Sequence, residues 1–290
     1  MNRTITSLCV LAATVVVSTQ VASAQMSPMF SVGGEYLQSL DTDFKGDSDN
    51  AVSIQTASVD LQYVQPVGRS SSLIFGLSTG RTEYDFDQEM PWEKVNDLGA
   101  TVIYTHELGG KWSLLGMGLV RSSYSTEADI EDGFTWGALL GAKYQKSETF
   151  SYTMGLAYIT RLEDSDLLVP IVGFEWQIND RLYLDGMMGL SLKYDITGEG
   201  NSVFEFGLDY SMEDFRLQKD VVDATQAAVQ PNGFGCVLSY TQRFSDNLSL
   251  ILKVRGLAEQ EFKTMLDGHK VSSFKTDPTL LYGVGINLTF

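Results

Sequence analysis

The clearest pattern lies at the end of the chain, where apolar side chains occupy every even position from Leu280 to Phe290. The odd positions between them are mostly small or polar, as at Gly283, Gly285 and Thr289. Successive side chains of a β-strand point to opposite faces, so a period of two gathers the large apolar groups on one face. The pattern predicts a strand with one apolar and one small or polar face.

The same period of two recurs through most of the chain. It is strongest over residues 134–144, 150–158, 234–240 and 248–254, and weaker over 59–63, 98–104 and 204–210. Segments of roughly ten residues with this repeat have the length of tilted transmembrane strands. Over residues 112–121 the alternation is poor, which predicts a bulge or a change of register there.

The connections between these segments form a second pattern. Short turns, expected at 66–70, 108–111, 146–149, 178–181 and 245–247, alternate with longer polar stretches at 41–51, 86–96, 125–132, 161–166, 218–232 and 264–277. Short turns at one end and long loops at the other are typical of a membrane β-barrel, with short periplasmic turns and longer extracellular loops. We therefore predict an all-β, closed antiparallel transmembrane barrel.

The strand number follows from the same pattern. The chain enters and leaves at the short-turn end, so the number should be even, and we count about twelve full strands. Residues 182–194 are too short for two full spans and are interrupted by Gly186 and Gly189, which indicates a short extra hairpin. If both arms of this hairpin join the wall, the count rises to about fourteen.

The N-terminal residues predict export. Arg3 precedes an apolar run over residues 8–17, and Ala22, Ser23 and Ala24 then offer a small-residue cleavage site. This arrangement is typical of a secretory signal peptide over residues 1–24, which leaves residues 25–290 as a single barrel domain. Cys236 is the one cysteine of that domain, so an internal disulfide is excluded.

The composition of the chain excludes one class of partner and one kind of membrane span. The chain has 37 acidic and 20 basic residues and a formal net charge of -17, which opposes binding to nucleic acid. The predicted domain has no run near the roughly 20 apolar residues that a transmembrane helix needs, so any membrane span must be a strand. The 27 glycines and the aromatic content of 11% suit many strands joined by turns.

Aromatic residues support a membrane location, because amphipathic rings favour the interface between membrane and water. Those that flank the short turns are Tyr63, Trp112, Tyr144, Phe150, Trp176, Phe244 and Phe290. Ordinary aromatic residues of a sheet core are the alternative.

The C-terminal strand resembles the terminal β-signal of bacterial outer-membrane β-barrels. The matching residues are Tyr282, Val284, Ile286, Leu288 and Phe290. The resemblance implies location in the outer membrane, contact with its lipid, and insertion by the barrel-assembly machinery. Residues 169–173 with the turn after them, the interrupted segment and the Leu192-Lys193-Tyr194 strand are also similar to an uncharacterised outer-membrane family defined only as a domain of unknown function, which implies no substrate.

Charged residues on the polar faces are candidates for the lumen. They are Glu35, Asp60, Lys143, Glu175, Glu205, Asp209, Arg243, Lys253 and Arg255. Such charges either set ion selectivity or pair with one another and fill the interior, and a barrel of this size favours pairing. If the pore is open, the acidic excess predicts a preference for small cationic solutes.

The predicted long loops are acidic. The weak candidates for calcium or magnesium ligands are Asp41, Asp43, Asp47 and Asp49 in one loop and Asp129, Glu131 and Asp132 in another. Carboxylates are the ligands that these cations prefer, but none of the clusters has the spacing of an EF-hand loop. Solvated loops without a metal are the favoured interpretation, and a contact with an external ligand remains open.

Catalysis and cofactors have no support in the sequence. His106 and His269 are the only histidines, and neither accompanies a nucleophile motif, so we predict no enzyme activity, a hydrolase being the remote exception. The leading hypothesis is a porin-like passive channel or an envelope-structural barrel. The alternatives are a binding or adhesion barrel that uses its acidic loops, and a soluble secreted β-sandwich, in which a half-buried sheet would also alternate.

Overall fold

The computed structural model describes residues 27–187, 189–218 and 227–290, and the predicted signal peptide lies outside them. The strands are β1 (Met29–Ser39), β2 (Thr42–Phe44), β3 (Asp47–Val67), β4 (Ser71–Phe86), β5 (Lys94–Gly109), β6 (Trp112–Ser125), β7 (Phe134–Ser147), β8 (Phe150–Ile159), β9 (Leu167–Gln177), β10 (Leu182–Asp185), β11 (Leu190–Asp195), β12 (Ser202–Met212), β13 (Phe215–Arg216), β14 (Ala227–Ser245), β15 (Leu248–Leu266), β16 (His269–Lys275) and β17 (Thr279–Thr289). A single 3-10 turn, Ile130–Gly133, precedes β7. In these ranges no helix is long and apolar enough to cross a membrane.

The strands form one antiparallel sheet that closes on itself. β1 pairs with β3 on one side and with the last strand, β17, on the other. Three of the seventeen strands, β2, β13 and β16, lie outside this circuit, which leaves fourteen in the wall. A closed wall excludes the β-sandwich, since a sandwich needs two separate sheets.

The expected count of about twelve strands is wrong, and the alternative of fourteen is what the structure contains. β10 pairs with β9 and β11, and β11 pairs with β12, so both arms of the short hairpin belong to the wall. These strands have four and six residues, and an alternating pattern of that length does not identify a membrane-spanning strand.

The two faces of the wall differ in chemistry. The outer face carries large apolar side chains, among them Leu140 at 74% exposure and Val172 at 73%. The neighbours of these residues along the strand, Leu139 and Ile171, point inward and are buried. The alternation predicted for the strands is thus present as an apolar outer band.

The bulge predicted over residues 112–121 is absent from the pairing of β6 with β7, which runs from Trp112 to Ser122 without a shift. The one irregularity between β5 and β6 lies at their turn, between Glu107 and Gly109. Alternation is poor in this strand because its inward residues, including Leu115 and Met117, are themselves apolar.

Candidate functional site

The two ends of the barrel are unlike. At one end, called here the short-turn end, the connections are residues 68–70, 110–111, 148–149, 178–181, 196–201 and 246–247, and the chain termini of β1 and β17 lie there too. At the other end, the long-loop end, the connections include 87–93, 126–133 and 160–166, and the additional strands β2, β13 and β16. The candidate site lies inside the barrel at the long-loop end.

A plug, formed by residues 213–218, crosses the interior at that end. Its strand β13 pairs with β14, and Arg216 also forms a parallel bridge with Tyr124 of β6. Six wall strands separate β6 from β14 in either direction, so these strands stand on opposite sides of the barrel. The described part of the connection between β12 and β14, residues 213–218, therefore folds inward, and it overlaps the polar stretch predicted at 218–232 only at residue 218.

The plug is apolar where it meets the wall. Phe215 and Leu217 are fully buried in one cluster with Val229 of β14, Phe262 of β15 and Trp92 of the β4–β5 connection. The Trp92 ring lies 5.8 Å from that of Phe215 and 6.4 Å from that of Phe262, between centroids. Burial of each large side chain contributes about 1.5–3 kcal/mol, so the cluster fixes the plug against the wall.

A buried ion pair fixes the position of β13. Arg216 Nη1 lies 2.7 Å from Glu163 Oε1, and each side chain is only 7% exposed. Arg216 also donates a hydrogen bond from Nε to the carbonyl of Asp132, at 2.9 Å. Glu163 has φ of 54°, a left-handed conformation that non-glycine residues adopt at a cost, so its backbone is held by these surroundings.

A second tie joins the same two connections. Arg161 donates to the carboxylate of Asp214 at 3.3 Å, and the backbone N–H of Leu162 donates to the same carboxylate at 3.3 Å. Burial raises the pKa of Asp214 above its ordinary value, against the effect of the Arg161 guanidinium. Arg161 also pairs with Asp164, whose side chain is 36% exposed. The plug is thus latched to the β8–β9 connection by one fully buried and one largely buried pair.

Below the plug, charged residues on the inner face of the wall are brought together in pairs. Lys253 pairs with Glu35, Arg255 with Asp209 at 3.1 Å, and Lys143 with Glu175 at 2.7 Å. Of the other residues predicted for the lumen, Asp60 lies opposite Gly33 of β1, Glu205 opposite Ser239 of β14, and Arg243 opposite Ser249 near the short-turn end.

Sequence reasoning missed Lys193 as a member of this group. Its Nζ lies 3.8 Å from Glu205 Oε1 and 3.9 Å from Asp185 Oδ2. The sequence contains a signal for it, because Lys193 stands between the apolar residues Leu192 and Tyr194 of β11. Since successive side chains of a strand point to opposite faces, Lys193 lies on the inner face when its two neighbours face outward.

The acidic loop residues are not gathered into a metal site. No group of three or more His, Cys, Asp or Glu side chains that could hold a metal occurs among the residues with described positions. Asp47 instead accepts hydrogen bonds from the backbone of Asp49 at 3.2 Å and from Asn50 at 2.6 Å. Asp132 contributes its carbonyl to the plug contact with Arg216.

The strand predicted to carry the assembly signal, β17, closes the barrel between β15 and β1. Its residues Tyr282, Val284, Ile286 and Phe290 are exposed on the outer face. The part that this strand plays in assembly stays a prediction.

The fold is similar to that of a solved outer-membrane channel. The COG4313 outer membrane channel from Pseudomonas putida F1 is 13% identical and superposes with a TM-score of 0.51, over 93% of this chain and 98% of that one. A Pseudomonas aeruginosa FadL homologue is 10% identical with a TM-score of 0.49, over 90% of each chain. The KdgM porin is 10% identical with a TM-score of 0.36, over 89% of this chain and 99% of that one.

Sequence comparison gives the family. No curated protein sequence matches the chain. A family model described as "Domain of unknown function (DUF6268)" matches residues 79–285, well over half of the chain. This bears out the resemblance to an outer-membrane family of unknown function. The chain, whose described strands form a closed β-barrel with fourteen strands in its wall, belongs to the DUF6268 family.

Proposed function

We propose that the protein is a passive channel of the outer membrane that is plugged at its long-loop end. The observation that carries the proposal is the closed wall with an apolar outer band, typified by Leu140 and Val172. Keeping a large apolar side chain out of water is worth about 1.5–3 kcal/mol, and exposed apolar patches of more than a few hundred Å² are rare on soluble proteins. Lipid is the medium that suits this surface.

The inner face supports a channel over a purely structural barrel. Glycines occupy several inner positions of the wall below the plug, such as Gly33, Gly76 and Gly285, where a larger side chain would fill the lumen. The plug itself is one inward connection, held by the Arg216 and Asp214 contacts described above. A closure made from a single latched segment is suited to opening.

The rest of the route belongs to the same proposal. Residues 1–24 direct export, the C-terminal strand β17 is read by the assembly machinery, and the long-loop end faces the outside of the cell. This orientation follows the rule that barrel termini and short turns lie on the periplasmic side.

The test is ion conductance of the purified mature barrel in planar bilayers. A variant with residues 214–226 replaced by a short Gly-Ser linker should conduct continuously, and the wild-type protein should stay mostly closed. Both should migrate faster unboiled than boiled in a detergent gel, which shows that each is a folded barrel. A folded, unplugged variant without conductance would support an envelope-structural barrel instead.

Selectivity follows from the lumen charges. Several inner charges are paired, as Lys143 is with Glu175, so we propose only a weak preference for small cations, which the overall acidic excess favours. Reversal potentials of the unplugged variant across a salt gradient measure it. A preference for anions would contradict the proposal.

A further inference from the structure

An unbroken apolar row crosses the inner face of half the barrel. The directly opposed residues on seven neighbouring strands are Val64, Ile74, Ile103, Met117, Leu139, Ala157 and Val169. Leu115 and Ile171 lie beside this row and pack with it. A lumen meant only for ions has no need of such a feature, because apolar walls do not replace the hydration of an ion.

The row is oblique to the barrel axis. Val64 lies three residues from the end of β3 at the short-turn end, and Val169 lies eight residues from the corresponding end of β9. Strands tilted by about 40° rise about 2.5 Å per residue along the axis, so Val169 stands about 20 Å above that end. The row therefore connects the short-turn end with the upper part of β9.

The wall has a gap beside the upper part of β9. The strands next to it, β10 and β11, have four and six residues, whereas β9 and β12 have eleven each. Gly186 exchanges backbone hydrogen bonds with Phe174 of β9, and Gly189 lies against the Leu208 carbonyl of β12. Above these contacts, the described chain places no wall strand between β9 and β12. Two absent strands leave about 14 Å between the neighbouring backbones.

Pro170 marks the edge of this gap in the sequence. The backbone N–H and C=O of Phe174 point toward β10. Pro170 lies four residues earlier on the same strand, and residues an even number of positions apart direct their backbone groups to the same side, so the nitrogen of Pro170 faces the gap. A proline has no N–H to leave unpaired and is tolerated at a strand edge, not inside a sheet. On either side of it, Leu168 and Val172 are 68% and 73% exposed on the outer face.

The gap lies at the height of the apolar outer band. Trp176 is exposed near the short-turn end of β9, where interfacial aromatic residues are expected. By the same rise per residue, Gly173 stands about 8 Å and Leu168 about 20 Å above Trp176, within an apolar band of about 25 Å. The gap therefore opens onto hydrocarbon, from the middle of the band upward toward the long-loop end.

Met187 joins the gap to the row. It directly follows Gly186 at the lower edge of the gap and packs against the buried cluster of Leu139, Ala157 and Ile171. A Cβ built on Gly173 would lie 2.9 Å from Met187 Cβ, so the glycine allows this close approach. A methionine side chain is flexible and adapts to apolar partners of different shapes.

The upper edge of the gap is formed by the contact between the plug and the β8–β9 connection. Arg161 and Leu162, which precede β9, contact Asp214, which follows β12. The gap is thus bordered by β9, β12, the described residues Gly186, Met187 and Gly189, and this contact. Its position below the plug gives access to the lumen while the long-loop end stays closed.

We propose that small uncharged apolar molecules pass between the bilayer and the lumen through the gap between β9 and β12, and move along the apolar row to the short-turn end. The proposal rests on the proposed function, of which it names the substrate class. A hydrated or charged solute would lose its solvation along this path, whereas an apolar one moves between similar surroundings.

The experiment measures entry of the neutral apolar dye N-phenyl-1-naphthylamine into cells that produce the full protein. Its fluorescence rises when it reaches the inner membrane, and the wild-type barrel should speed this rise several-fold over cells without it. M187Q and A157Q, which place an amide on the path, should reduce the rate toward that of cells without the barrel. S151Q is the matched control for A157Q, since Ser151 is buried on the same face of β8 but lies off the row, and its rate should stay at the wild-type value.

Failure of the lateral route is distinguished from failure of the proposed function by a gel assay. Outer-membrane fractions of each variant are run boiled and unboiled, and a shift in migration shows that the folded barrel is present. If the folded barrels are present but the dye enters at the same rate with and without them, or equally in M187Q and wild type, the lateral route is wrong and the channel proposal is untouched. M187Q keeps this test valid if A157Q does not fold, because Met187 lies in a connection. If the wild-type protein is no barrel of that membrane, the proposed function fails and the lateral route falls with it.

Discussion

Loss of the Glu163 charge should open the plug. In the closed state Arg216 is 7% exposed and its guanidinium lies 2.7 Å from the Glu163 carboxylate. Removing one partner of a buried pair leaves an uncompensated charge and costs about 3–5 kcal/mol. Since 1.4 kcal/mol is a factor of ten, this cost lowers the ratio of closed to open barrels by roughly 10² to 4 × 10³. In E163Q the amide can still accept a hydrogen bond, so we expect the lower end of this range.

A matched control lies one residue further along. D164N removes the same charge from the same connection, but the Asp164 side chain is 36% exposed and its pair with Arg161 is worth at most about 1 kcal/mol. Single-channel recordings should therefore show a high open fraction for E163Q and a nearly wild-type one for D164N. The double variant E163M/R216M, which replaces the pair by apolar side chains of similar length, should close again.

Two results would refute this reasoning. Equal open fractions for E163Q and D164N would show that net charge of the loop, not the buried pair, sets closure. A wild-type open fraction for E163Q would show that the apolar cluster alone holds the plug.

The remaining predictions concern the plug and the assembly of the barrel. Burial raises the pKa of Asp214, so the contribution of this carboxyl group to closure is complete below its ordinary pKa of 3.8 and is lost as the pH rises through the raised pKa. The open fraction of the wild-type protein should therefore increase with pH over that window, and D214N should lack this increase. Identical pH profiles for the two proteins would contradict the prediction. W92A should remove about 3–5 kcal/mol of packing from the plug cluster and raise the open fraction while the barrel still shifts on heating, whereas an unchanged open fraction would show that Trp92 does not support closure. F290A should lower the amount of heat-shifted protein in outer-membrane fractions several-fold, and an unchanged amount would refute an assembly role for this residue.

The barrel itself was predictable, because alternation is a local signal repeated in long strands. The final strand shows it over eleven residues, and the closed sheet confirms the all-β barrel. The sequence predicts β10 and β11 only as a short extra hairpin outside the twelve full strands, because strands of four and six residues carry too few alternations to show that they belong to the wall. The placement of Pro170 at a strand edge was a usable signal for the gap beside them.

The plug was not predictable, because inward folding of a connection depends on contacts between distant segments. The sequence predicts a polar loop over residues 218–232, yet β14 begins at Ala227, and its residues Ala227 and Val229 are buried beside Phe215 and Leu217. In the sequence the apolar row shows only as poor alternation in β6, which predicts a bulge or a change of register that the strand does not contain. Apolar residues on both faces of a strand give the same loss of pattern as a register change, and a single sequence does not separate the two.

If this chain forms a closed barrel in the outer membrane, the mature protein extracted from that membrane should show heat-modifiable migration. Outer-membrane fractions should contain it, and the unboiled protein should run faster in a detergent gel than the boiled one. A protein that stays in the soluble periplasmic or secreted fraction, with the same migration before and after boiling, would contradict the account.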